Sequence, residues 1–124
     1  MTQLLLVGAG GFIGSILRYA VSGLAYRLLP AATFPLGTLV VNVAGCFLIG
    51  YGSGLADTRQ MFSAQTRVFL FIGLLGGFTT FSTFGYETLA LARSSQEARA
   101  LVNVALHVVL GLAAVWLGYS LSRS

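Results

Sequence analysis

Four long apolar runs, separated by short polar connections, make up nearly the whole chain. The first covers residues 4–29, where the only charges are Arg18 and Arg27. The second, residues 36–56, carries no charge and is long enough to cross a hydrocarbon core of about 30 Å. The third, residues 67–92, opens on Arg67 and otherwise has Glu87 as its sole charge. The fourth, residues 100–121, is again uncharged. Runs of this length and polarity predict membrane-spanning helices. The connections fit: Pro30 and Pro35 close one helix and open the next, while polar loops fall at residues 57–66 and 93–99. The expected architecture is an all-α integral membrane protein, with residues 1–124 forming one four-helix domain.

The third run contains an interruption. Gly76 and Gly77 are followed by Thr79, Thr80, Ser82 and Thr83 within GGFTTFSTF, residues 76–84. Glycine weakens a helix, and hydroxyl side chains offer its backbone competing hydrogen bonds. The third helix is therefore expected to break near its centre. Within a bilayer such a break survives only against protein or a water-filled cavity. Phe81 and Phe84 stand one turn apart on one face. The edge of a phenyl ring is positive, so two convergent edges can face an anion; two core phenylalanines in a packing seam are the plainer alternative.

Polar positions in the other runs are few. Thr38 and Asn42 lie four residues apart in the second run, with Gly45, Gly50 and Gly54 keeping one side slim. A mid-membrane amide must find a partner, either an interhelical hydrogen bond or a pore, where its two N–H donors suit an anion. In the fourth run Asn103, His107 and Gly111 share a helix face. Trp116 and Tyr119 fall where an interfacial aromatic belt would lie. In the first run Gly10 and Gly14 permit close helix approach, and Arg18 is placed at the far end of the helix. The glycines at 8, 11 and 14 also mimic a dinucleotide-binding loop, but the first acidic residue, Asp57, comes far too late and follows another apolar run.

Composition narrows the class. Apolar residues make up 56% and charged residues 8%, outside the range of ordinary soluble domains. The net charge of +4 arises from arginines placed between the runs, which read as helix-end anchors rather than as a nucleic-acid face. No basic region precedes the first run, which is expected to remain as a span rather than act as a cleaved signal. Neither a nucleophile–base pair nor a Cys/His/carboxylate cluster is evident, so no enzyme is expected. A proton-coupled exporter of the small multidrug type would want a mid-membrane carboxylate, and Glu87 lies toward the end of its span. A non-conducting assembly subunit need not keep mid-membrane polar groups at all. A passive pathway lined by amide, hydroxyls and ring edges fits better.

GGFTTFSTF, together with GTLVVNVAGCFLIG at 37–50 and GGFIGSILRY at 10–19, resembles the Fluc family of microbial fluoride channels, also known as CrcB proteins. The resemblance runs through the chain in order. It implies four-helix subunits in the bacterial inner membrane, paired as antiparallel, dual-topology homodimers that export fluoride passively. It implies that Asn42, Phe81 and Phe84 line the fluoride pore, with Thr38, Ser82 and Thr83 in matching segments. It also implies that backbone carbonyls of Gly76 and Thr79 hold a central structural Na⁺, and that Arg18 and Glu87 have structural roles. The fourth helix departs from the family pattern, offering Asn103 and His107 as the polar lining.

Overall fold

The protein is described by a computed structural model covering residues 1–31 and 33–124. Four helical spans are long and apolar enough to cross a membrane: Thr2–Leu28, Leu36–Arg59, Ala64–Arg93 and Glu97–Arg123. The first two are α1 and α2. The third is divided into α3 (residues 64–78) and α4 (Phe81–Arg93), and the fourth is α5 (Glu97–Arg123).

Local chemistry sets the ends. α2 continues past residue 56 to Arg59, with the Thr58 hydroxyl donating to the Gly54 carbonyl at 2.7 Å. The Arg67 guanidinium donates to the Ala56 carbonyl at 3.3 Å, supplying one of the acceptors left bare at that helix end. Gln60, at φ 49°, takes the left-handed turn out of α2, and the Ser63 hydroxyl caps α3 by accepting the Thr66 N–H at 3.1 Å. The polar loop expected over 57–66 is thereby reduced to residues 60–63. The first helix ends at Leu28, close to the limit of its apolar run, so the placing of Arg18 at its far end is corrected. Arg18 does not terminate α1, because the apolar stretch beyond it keeps the helix going to Leu28.

Small residues decide how the helices meet. A Cβ on Gly10 would lie 2.6 Å from the Phe69 carbonyl oxygen, and one on Gly14 would run into the Leu74 carbonyl. α1 thus rests backbone to backbone on α3, a contact that only glycine permits. α2 packs most extensively on α5, where Gly50 and Gly118 play the same part against Val115 and Phe47. Within α3, residues Val68–Leu75 wind as a π-helix, wider than the α-helix on either side. Helical winding stops at Thr79 (φ −86°, ψ 158°) and Thr80 (φ −150°, ψ 114°), both extended, and resumes at Phe81.

Candidate functional site

The break is closed by hydrogen bonds from outside the third span. Asn42 of α2 lies beside Thr80; its Oδ1 accepts the Thr80 N–H at 2.8 Å and its Nδ2 donates to the Thr80 carbonyl at 3.0 Å. One side-chain amide thus replaces both backbone partners that an interrupted helix has lost. The second Nδ2 proton points to His107 Nε2 on α5, 3.2 Å away. His107 Nδ1 in turn meets the Asn103 carbonyl at 3.0 Å. Both protons that the sequence suggests for an anion are therefore engaged within this subunit.

Thr80 also starts α4. Its hydroxyl accepts the Thr83 N–H at 3.2 Å, as an N-cap should, and donates to the Thr83 hydroxyl at 3.0 Å. The same switching of donors leaves two carbonyls without their regular helical partners. In an unbroken helix the Gly76 carbonyl would receive the Thr80 N–H, which here goes to Asn42. Likewise the Thr79 carbonyl would receive the Thr83 N–H, which here goes to the Thr80 hydroxyl. The Thr79 hydroxyl itself turns back to the Leu75 carbonyl at 3.0 Å.

Clefts lie on either side of this brace. One, of about 410 Å³, is lined by Asn42, Phe81, Phe84 and His107 together with Gly76 and Thr79. Among the described residues its lining holds no carboxylate. The Phe81 and Phe84 rings are 5.6 Å apart and tilted by 53°, and Phe84 also packs on His107 at 4.3 Å. Phe84 is half-buried, whereas Phe81 is 83% exposed and projects away from the subunit. The other cleft, of about 910 Å³, is lined by Arg18, Thr38, Thr80 and Thr83 among others.

The residues singled out from the sequence thus fall into two groups. Asn42, Phe81, Phe84, His107, Gly76 and Thr79 share the smaller cleft, while Arg18, Thr38 and Thr83 face the larger one. Ser82 is exposed at the start of α4, 3.4 Å from the Thr80 hydroxyl. Glu87 is tied by its Oε1 to the Thr38 hydroxyl at 2.8 Å, its Oε2 buried without a partner among the described residues. Asn103 is fully buried and donates to the Thr88 hydroxyl at 2.9 Å. Two residues to which the sequence reading gave no individual role carry hydrogen bonds at the site. Thr80 carries the break and the cap, and a threonine directly before a renewed helical run is an N-cap signal that could have drawn attention. Thr88, the partner of Asn103, has no comparable local signal.

Comparison with known proteins finds relatives along nearly the whole chain. Residues 5–119 match the family described as "CrcB-like protein, Camphor Resistance (CrcB)". A protein of Methylobacillus flagellatus named "Fluoride-specific ion channel FluC" is 46% identical over 123 residues, covering 99% of this chain and 96% of that protein. "Fluoride-specific ion channel FluC 1" of Methanosarcina acetivorans is 46% identical over 95% of this chain and 88% of its own length. A namesake from Parabacteroides distasonis is 46% identical over the whole of this chain and 95% of its own. The chain belongs to the CrcB-like family.

Proposed function

We propose that this chain is the subunit of a passive, fluoride-selective channel, paired with an inverted second copy in the inner membrane of a bacterium. The observation that carries the reading is the smaller cleft beside the break, lined by two phenyl rings 5.6 Å apart. The names borne by its relatives point the same way. A proton-coupled exporter has less support: Glu87, the only carboxylate within the apolar runs, lies toward the end of its span and is engaged by Thr38 rather than facing this cleft. A scaffold subunit has no use for so many polar groups in hydrocarbon.

Fluoride holds its water tightly, so a pathway must offer donors and positive potential as hydration is shed. Phenyl edges supply weak positive potential, and the hydroxyls of Ser82 and Thr83 can rotate to donate, whereas that of Thr38 is committed to Glu87. Asn42 lines the path while bracing it, and His107 completes the lining on α5; Asn103, expected beside it, is fully buried behind the wall, where its side chain bonds Thr88. Phe81 projects from the subunit, so the wall opposite it belongs to another copy of the chain or to lipid. An antiparallel two-fold pairing brings both breaks to the bilayer centre. There the carbonyls of Gly76 and Thr79, freed from helical bonding, form a hard oxygen donor set suited to Na⁺. A bound Na⁺ would supply a fixed positive charge beside the path.

Purified protein in liposomes tests the proposal. A fluoride gradient should discharge electrogenically, with chloride far slower and no need for a proton gradient. Comparable chloride flux, or strict proton coupling, would rule out the channel. Exchanging Na⁺ for a large organic cation throughout purification should lower flux or loosen the dimer. Indifference to that exchange would remove Na⁺ from the scheme.

A further inference from the structure

Two helices and the break in the third span contribute to one directed line of hydrogen bonds. It begins at the Asn103 carbonyl, which can only accept, so the proton between it and His107 resides on Nδ1. Nε2 then presents a lone pair, and the atom facing it, Asn42 Nδ2, can only donate. The line ends on the two backbone groups of Thr80, each bonded to the remaining atoms of the Asn42 amide. Turning that amide over would oppose its oxygen to both Nε2 and the Thr80 carbonyl, and its NH₂ to the Thr80 N–H. The imidazole therefore selects one of the two amide orientations, the one that closes the break.

We infer that His107 is a positioning residue of the permeation path. Its Nε2 lone pair locks the Asn42 amide onto Thr80, and its ring holds Phe84 at 4.3 Å. A single side chain thereby sets both the helix break and one of the two aromatic edges beside it. The use of this geometry in ion passage rests on the channel reading above; the relay itself does not.

Side-chain reach separates an acceptor from a mere space-filler. Glutamine carries its amide as far from the backbone as Nε2, asparagine only as far as Nδ1, and phenylalanine keeps the ring without an acceptor. Fluoride flux through His107→Gln should stay within a few-fold of the wild-type rate, and the Thr80 amide should exchange with deuterium as slowly. Flux through His107→Asn and His107→Phe should fall by roughly tenfold or more, the scale of one lost buried hydrogen bond, with faster exchange at Thr80. If His107→Phe conducts and protects Thr80 as well as His107→Gln does, the inference is wrong.

The wild-type protein provides a readout that no folding defect can obscure. It contains one histidine, so a ¹⁵N spectrum of the labelled imidazole in lipid at neutral pH is unambiguous. The expected form is neutral, protonated at Nδ1 and bare at Nε2. A proton on Nε2 would overturn the relay whatever the flux. Wild-type protein that passes no fluoride while showing the Nδ1–H form would defeat the channel reading and leave the relay standing.

Discussion

Replacing Asn42 with alanine removes three hydrogen bonds and strips both backbone groups of Thr80, itself buried. Each orphaned group costs about 1–3 kcal/mol, so Asn42→Ala should lose stability as well as fluoride flux. Phe81→Ala should behave differently. Its ring leans on little within the subunit, so thermal unfolding of the subunit fold should barely shift while flux drops roughly tenfold, the scale of an aromatic edge contact. Phe84→Ala, which also abandons His107, should lower both. Efflux assays paired with melting curves would check the contrast; wild-type flux in both phenylalanine variants would return the rings to ordinary packing. The sequence makes plain that Asn42 needs a partner, because an amide in hydrocarbon cannot go without one. It does not reveal that the partners are Thr80 and His107. That depends on which helices pass beside α2 and at what height, a tertiary matter with no local signature.

At the scale of elements, the break is legible because paired glycines and a run of hydroxyls contradict an otherwise uniform helix. The π-helical stretch Val68–Leu75 is not legible: VFLFIGLL is apolar at every position apart from one glycine, so no periodicity distinguishes one winding from another. Helix ends were misplaced for a related reason. Asp57, Thr58 and Arg59 look like loop, yet side-chain bonds to the end of α2 keep it wound. The α1–α3 contact yields a sharp test. Gly14→Ala sets a methyl group against the Leu74 carbonyl and should cost about 1–3 kcal/mol, as overpacking does. Gly8→Ala meets open space on the same helix and should be neutral or gain up to about 1 kcal/mol from helix propensity. Equal denaturation midpoints for the two variants would contradict the backbone contact.

For the whole molecule, the arginines near the span ends are evenly shared. With four spans, Arg59, Arg67 and Arg123 fall on one side of the membrane and Arg27, Arg93 and Arg99 on the other. Arg18, within α1, belongs to neither loop set. Orientation follows arginine and lysine bias, so three against three leaves it undecided and favours the proposed inverted pair. In a Cys46→Ser, Ser124→Cys protein, roughly half the chains in intact cells should react with an impermeant thiol reagent. Reaction of nearly all or almost none would exclude that pair. The brace between Asn42 and Thr80 also bears on how the molecule is made. The ribosome delivers α2 before it reaches residues 79–80, so the amide that will satisfy Thr80 is already in the bilayer when that stretch leaves the translocon. The gap in the third span therefore need not face lipid bare. A circular permutant that placed α3 and α4 ahead of α2 would keep every residue and lose that order of supply, exposing the Thr80 N–H and carbonyl to hydrocarbon until α2 arrived.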